Sequence, residues 1–270
     1  MFISTLVLLR MKKHVAGIAV LCFAMLSAVA TTFIGQEVSE LEERITSSAG
    51  ISSEQLQKDI DARLQIFNEE DALLLVRHIT ADPEHRQFLS NDHAFAFIVN
   101  VAPWVFLSFL LNTIILFIAC VFFLLLAGGS VVSGYQAASQ LPIMLLKMLF
   151  LMFWFFVRSF LWIPFLGPPI ALLMIPRLIL APAILANGTM GVLASTSESL
   201  RRTKHRWFQV LFSLLGLVLS SAAFLFLAMM IVSIVTLLSL KLGFLLWLLL
   251  LLGTVSFQMF FLMILSERMA

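Results

Sequence analysis

Apolar residues form long runs along most of this chain, and short polar stretches separate the runs. The apolar runs cover residues 15–34, 94–126, 143–165, 168–186, 207–240 and 242–265. A helix of about 20 apolar residues is long enough to cross the hydrocarbon core of a bilayer. The pattern therefore predicts an all-α, polytopic membrane protein with about six transmembrane helices.

The first apolar run follows a basic group formed by Lys12, Lys13 and His14. We interpret residues 1–35 as an N-terminal signal-anchor helix, because the apolar character continues to Ile34. A cleaved signal peptide is the alternative, since Ala28-Val29-Ala30 has the small-x-small spacing of a cleavage site. Met11 is an alternative start of the chain. A cleaved first segment would leave five spans without changing the rest of the topology.

Residues 36–93 form a polar, acidic module in which 13 acidic and 5 basic residues lie between Glu37 and Asp92. Residues 52–55 resemble a helix start, and Leu56, Ile60 and Leu64 then recur at the spacing of one helix face. We predict a second helix at 69–80. The three histidines of this module match no metal-ligand spacing, so we expect no metal site.

The run at 94–126 is too long for one straight span. We predict an interfacial segment up to Pro103 and a membrane span after it. Asn112 then lies inside the bilayer, where hydrogen bonding to a neighbouring helix is the expected role of an amide.

A proline-broken central hairpin is predicted at 142–186, with its turn at Gly167. Arg158 and Arg177 lie near the middle of its two limbs, and no acidic residue is close to either in sequence. Buried arginines are costly and usually functional, so one hypothesis is that Arg158 and Arg177 bind an anion or lipid phosphate. The alternative is that each guanidinium reaches the interface or bonds a carbonyl freed by a proline.

The hairpin leads into a basic segment, 187–206, in which we predict a helix at 189–206. Ser195 followed by Glu198 has the spacing of a capping box. The basic residues of this segment are either topology determinants or contacts for lipid headgroups. They are Arg201, Arg202, Lys204 and Arg206.

Positive charge marks cytoplasmic loops. Lys12, Lys13, the cluster at 201–206 and Arg268 all fall inside when the chain crosses six times. This arrangement predicts a multi-pass protein of the bacterial inner (cytoplasmic) membrane, with both termini cytoplasmic and residues 36–93 outside. Only Lys241 falls on the opposite side.

Composition narrows the function classes. Hydrophobic residues make up 61% of the 270 residues and charged residues 12%, which is typical of membrane proteins. Residues 94–270 form the membrane bundle and contain no paired carboxylates, His–nucleophile pair or metal-ligand set. We therefore expect a non-enzymatic protein without cofactor or nucleic-acid partner. Its expected partners are membrane lipids and, through 36–93, a second copy or an envelope protein. A transport protein with an anion or headgroup site at the hairpin is the alternative.

Residues 181–207 also carry a resemblance to a known family. Ala181-Pro182, Met190-Gly191, Ala194-Ser195, Ser199-Leu200, Thr203 and Trp207 resemble the pattern of the YciC-type bacterial inner-membrane proteins. Those proteins are similar to the membrane domain of some glycerophosphodiester phosphodiesterases. The resemblance covers roughly 140–215 and implies six membrane helices with an extracytoplasmic segment after the first. The catalytic barrel of the phosphodiesterases has no counterpart here, so their activity is not implied.

Overall fold

The computed structural model describes residues 2–66, 93–128, 133–160, 174–188 and 190–270, without the side chains of 63–66 and 158–160. All regular secondary structure within these ranges is helical. The predicted helix at 69–80 and the predicted turn at Gly167 lie outside them. The helices are α1 Phe2–Met11, α2 Lys13–Ala49, α3 Ser53–Ile66, α4 His93–Ala127, α5 Gly134–Phe160, α6 Ala181–Ala186, α7 Val192–Thr203, α8 Trp207–Leu238 and α9 Leu240–Arg268.

Five of these helices, α2, α4, α5, α8 and α9, are long and apolar enough to cross a membrane. They coincide with five of the six predicted spans, which confirms the all-α membrane class. The remaining span, predicted at 168–186, is described only from residue 174 onwards. The total of six therefore stays a prediction.

The chain divides into two compact units, one of residues 27–114 and the other of residues 1–26 with 115–270. In the first unit, a small apolar cluster joins Leu56 and Ile60 of α3 to Ala94 of α4 and to Ile45 of α2. Leu56 and Ile60 belong to the face that the four-residue spacing predicted. The polar module thus has a core, but a small one.

Asn112 forms hydrogen bonds between α4 and α2 within the same unit. Its side chain contacts the hydroxyls of Ser27 and Thr31, the latter at 3.3 Å, and also donates to the carbonyl of Ser108. This confirms the helix–helix role expected of Asn112. A polar cross-link of this kind is worth about 1 kcal/mol in a membrane.

Pro103 does not divide α4, and the interfacial placement of the residues before it stays a prediction. The helix is continuous from His93 to Ala127, with Pro103 inside it. A proline removes one backbone hydrogen bond but leaves φ suitable for a helix. The intact ladder on both sides is sufficient to continue the helix through it.

The core of the second unit is centred on α6 and the residues around it. Leu180, Ala181 and Ala183 are completely buried, and the other residues of α6 are nearly so except Pro182. Ala181 and Ala186 belong to a cluster with the last turns of α4 and with α5 and α9. Leu180 and Ile184 pack against α8 and α9 in a second cluster. The short helix therefore connects two apolar clusters of this unit.

Helices α8 and α9 form an antiparallel hairpin whose turn is a single residue. Ser239 ends α8, and its hydroxyl accepts a hydrogen bond from the backbone N–H of Leu242 at the start of α9. The sequence predicted a boundary between two apolar runs at Lys241, close to this turn. Gly243 allows the close approach, because a Cβ there would lie 3.0 Å from the Cα of Thr236.

Candidate functional site

The polar ends of several helices in the second unit meet at one surface, here called the basic end and defined by Lys12, Arg201, Arg202, Lys204, Arg206 and Arg268. Lys12 donates from Nζ to the carbonyls of Leu126 and Gly128, the latter at 3.3 Å. An ammonium group at the C-terminus of a helix is favourable, because the last carbonyls lack partners in the helix. Burial lowers the pKa of Lys12. These contacts put the start of α2 beside the end of α4.

Helix α7 contributes two of these six basic residues, Arg201 and Arg202, and Lys204 and Arg206 lie in the connection that follows it. The helix begins four residues earlier than the predicted capping box. Its N-cap is Gly191, in an extended conformation with φ of −77° and ψ of 170°. Ser195 lies inside the helix, where its hydroxyl donates to the carbonyl of Val192 at 2.7 Å. The capping-box prediction was wrong because both of its side chains have other partners.

Glu198 binds two arginines of its own helix. Arg201 donates from Nε and Nη2 to the two carboxylate oxygens at 2.7 and 2.8 Å, and Arg202 donates from Nε at 2.7 Å. Hydrogen bonds from Arg201 and then Arg202 lower the pKa of Glu198 to about 2. The carboxylate is therefore ionised at neutral pH and neutralises part of the basic cluster.

The basic residues of this segment have two different environments. The side chain of Arg202 is only 17% exposed and donates to the carbonyl of Ser266 at 2.9 Å, which joins α7 to the last turn of α9. Arg201, Lys204 and Arg206 are exposed, although Arg206 also donates to the carbonyl of Arg268 at 3.4 Å. Arg202 thus holds helices together, while Arg201, Lys204 and Arg206 face outward.

Arg177 lies next to α7. Its backbone carbonyl accepts hydrogen bonds from the hydroxyl of Ser199 at 2.6 Å and from that of Thr203 at 3.5 Å, and its side chain is exposed. A turn at residues 179–180 separates the helical residues 174–178 from α6 just after Arg177, and hydroxyls of a neighbouring helix are a common way to satisfy carbonyls near a break. The sequence carries a sign of this contact, because polar residues recur every four positions, at 195, 199 and 203, on one face of the helix.

The side chain of Arg158 lies outside the described residues. The pairing of Arg158 with Arg177 at an anion site therefore stays a prediction. What the structure adds is the position of Arg177, whose backbone contacts α7 and so lies close to the basic end.

Two cavities flank α1, and neither was predicted from the sequence. One, of about 560 Å³, lies between α1 and the last turn of α9 and includes Ser4, Glu267 and Arg268. The other, of about 420 Å³, is mostly apolar and lies between α1, α8 and α9. Arg268 donates to the hydroxyl of Ser4 at 3.1 Å, and the ring of Phe2 stacks on that of Phe257 at 5.9 Å. These contacts join α1 to α9, and no pattern of neighbouring residues in the sequence predicts them.

The chemistry available at the basic end is ionic and hydrogen-bonding. Among the described residues, no group of three or more histidine, cysteine, aspartate or glutamate side chains could hold a metal ion. Arginine and lysine side chains at a helix-rich polar surface suit phosphate oxygens, which accept from several N–H donors at once. No family model matches the chain, and no curated protein or solved structure is similar to it.

Proposed function

We propose that this chain is a non-enzymatic integral protein of the bacterial inner membrane that binds lipid headgroups on the cytoplasmic side. The observation that carries the proposal is the division of the basic segment into an inward anchor, Arg202, and the outward side chains of Arg201, Lys204 and Arg206. A topology determinant needs only positive charge. A rigidly anchored helix with outward cations also suits the binding of phosphates.

The ion pairs of Glu198 support this assignment. Because Glu198 binds both Arg201 and Arg202, the uncompensated charge of the segment is concentrated on Lys204 and Arg206. Each basic residue near an anionic leaflet contributes about 1 kcal/mol. Lys204 and Arg206 are thus the proposed headgroup contacts, with Arg201 as a third, weaker one.

The test is the amount of acidic phospholipid that remains with the full-length protein after mild detergent extraction. We expect the variant Lys204→Gln/Arg206→Gln to bind acidic phospholipid up to about thirtyfold less tightly than the wild type, since two residues at about 1 kcal/mol each make about 2 kcal/mol. Arg44→Gln is the matched control, because Arg44 is an exposed arginine that pairs with Glu40 in the acidic unit. Equal lipid in the double variant and the wild type would refute headgroup binding at α7.

Transport is the second proposed function, and the observation that favours it is the position of Arg177. Its exposed side chain, on a segment whose carbonyl is held by α7, gives an anion a place to bind beside the hairpin. Transport requires a water-accessible path to this residue. Cysteine scanning of residues 174–182 with a water-soluble thiol reagent measures that access, and protection of all these positions would argue against transport.

The resemblance to the YciC-type proteins belongs to the same proposal. It rests on residues 181–207, which the structure places in α6, α7 and the connection between them. That segment contains both the core helix and the basic helix. A shared role in these proteins is therefore best sought at the basic end.

A further inference from the structure

The larger of the two cavities beside α1 combines an apolar wall with a polar end of mixed charge. Its polar end contains Ser4, Glu267 and Arg268, and its apolar walls are the side chains of Ile3, Val7, Leu8, Met11 and Ile264. All of these residues belong to one compact unit. The volume of about 560 Å³ lies within the range of small-ligand pockets.

The apolar wall requires an apolar neighbour. Ile3 is 78% exposed and Met11 is 77% exposed on the surface of α1. Large exposed apolar side chains are covered by lipid in a membrane protein. The groove runs from these side chains to the last turn of α9, where the apolar residues of that helix end at Leu265.

The polar end of the groove offers one cation and one anion. Arg268 uses one of its five N–H donors on the hydroxyl of Ser4 at 3.1 Å, which leaves others for a second acceptor. Glu267 is exposed at the same mouth. A simple anionic headgroup would be attracted by Arg268 but repelled by Glu267, whereas a zwitterionic headgroup pairs with both.

We propose that the groove between α1 and α9 binds a phospholipid whose headgroup carries a phosphodiester and a primary ammonium group. Arg268 and Ser4 donate hydrogen bonds to the phosphodiester, Glu267 accepts from the ammonium group, and an acyl chain lies along the wall that α1 provides. The assignment rests on the proposed lipid-binding role and names the lipid class for a second part of the basic end.

The experiment uses the full-length protein in mild detergent, titrated separately with an ethanolamine phospholipid and a glycerol phospholipid of identical acyl chains. Bound lipid is counted by native mass spectrometry. We expect the wild type to prefer the ethanolamine lipid by about two- to fivefold, the range for an exposed ion pair. Glu267→Gln should remove this preference, and Arg268→Gln should weaken the binding of both lipids.

Two further variants keep the test independent of folding. Arg268→Lys keeps the positive charge, so it separates loss of the cation from a loosening of α1 through loss of the bond to Ser4. Glu54→Gln replaces an exposed glutamate of the other unit and should not alter the preference. A wild type without preference, or a preference that Glu267→Gln does not change, overturns the groove assignment. If the glycerol lipid still binds through Lys204 and Arg206, the proposed function stands. A wild type that retains neither lipid refutes both.

Discussion

Glu198 combines two properties that oppose each other, since its side chain is only 10% exposed and yet ionised. Burial disfavours a carboxylate, but three charge-assisted hydrogen bonds from two arginines offset this penalty. One of those arginines, Arg202, also binds α9 through the carbonyl of Ser266. The carboxylate therefore orients the side chain that joins α7 to the bundle.

Replacing Glu198 with Gln should destabilise the protein by about 1 to 3 kcal/mol at pH 7, the range for hydrogen bonds to charged groups. The lowered pKa sets the pH dependence: the stabilisation is complete above the ordinary value of 4.5 and is lost as the pH falls towards about 2. Thermal unfolding of both proteins in detergent at pH 7 and pH 3 measures it. The difference between wild type and variant should shrink at pH 3.

Glu43→Gln is the control for this experiment, because Glu43 is an exposed glutamate of the other unit and lies outside the proposed lipid groove. It should unfold like the wild type at both pH values. A difference for Glu198→Gln that stays constant between pH 7 and pH 3 would contradict the assigned pKa.

Ser199 is the second residue whose role is visible only in three dimensions. Its hydroxyl donates at 2.6 Å to the carbonyl of Arg177, just before the turn at residues 179–180. Ser199→Ala should lower the free energy of unfolding by about 1 kcal/mol, because the carbonyl keeps only the longer bond from Thr203. Chemical unfolding in mixed micelles measures the change.

Ser197→Ala is the matched control, since the Ser197 hydroxyl is exposed and bonds only within its own helix. It should be neutral or slightly stabilising, as alanine has the higher helix propensity. Equal effects of the two substitutions would mean that the bond to Arg177 contributes nothing.

At the scale of the elements, apolar run length predicted α2, α4, α5, α8 and α9, because a membrane helix must be both long and apolar. Capping could not be predicted as reliably, since one pair of residues has several possible partners. Ser195 and Glu198 have capping-box spacing, but the carboxylate of Glu198 accepts hydrogen bonds from Arg201 and Arg202 instead of from a backbone N–H at the start of the helix. The candidate site was predicted only in its local part, the basic residues of α7. Its long-range part, such as the bond between Arg268 and Ser4, depends on packing that no local pattern encodes.

The hairpin of α8 and α9 offers a direct test of close helix packing. Gly243→Val should destabilise this hairpin by about 1 to 3 kcal/mol, the cost of overpacking, because even a Cβ would lie 3.0 Å from the backbone Cα of Thr236. Thermal stability in detergent measures the effect. Gly216→Ala is the control, since a Cβ there meets nothing within 4 Å and alanine favours a helix. A stable Gly243→Val protein would show that the two helices separate at low cost.

At the scale of the whole molecule, the contacts at the basic end restrict the number of membrane crossings. The start of α2 lies beside the end of α4 through Lys12, and the end of α9 lies beside α1 through Arg268. A chain whose first span starts and last span ends on one side must cross the bilayer an even number of times. Five described helices are apolar enough to cross, and the span at 168–186, which stays a prediction, would make the number even.

This topology predicts which positions a membrane-impermeant maleimide reaches in intact spheroplasts. In a background of Cys22→Ala and Cys120→Ala, the cysteines of Ser48→Cys and Lys241→Cys should react from outside. Those of Ser197→Cys and Ala270→Cys should react only after permeabilisation, because the positive-inside rule predicts that α7 and the end of α9 face the cytoplasm. Reaction of Ser48→Cys and Ser197→Cys from the same side would contradict six crossings. It would also place Lys204 and Arg206 in the leaflet where the positive-inside rule does not expect them, and the headgroup assignment would then fail with the topology.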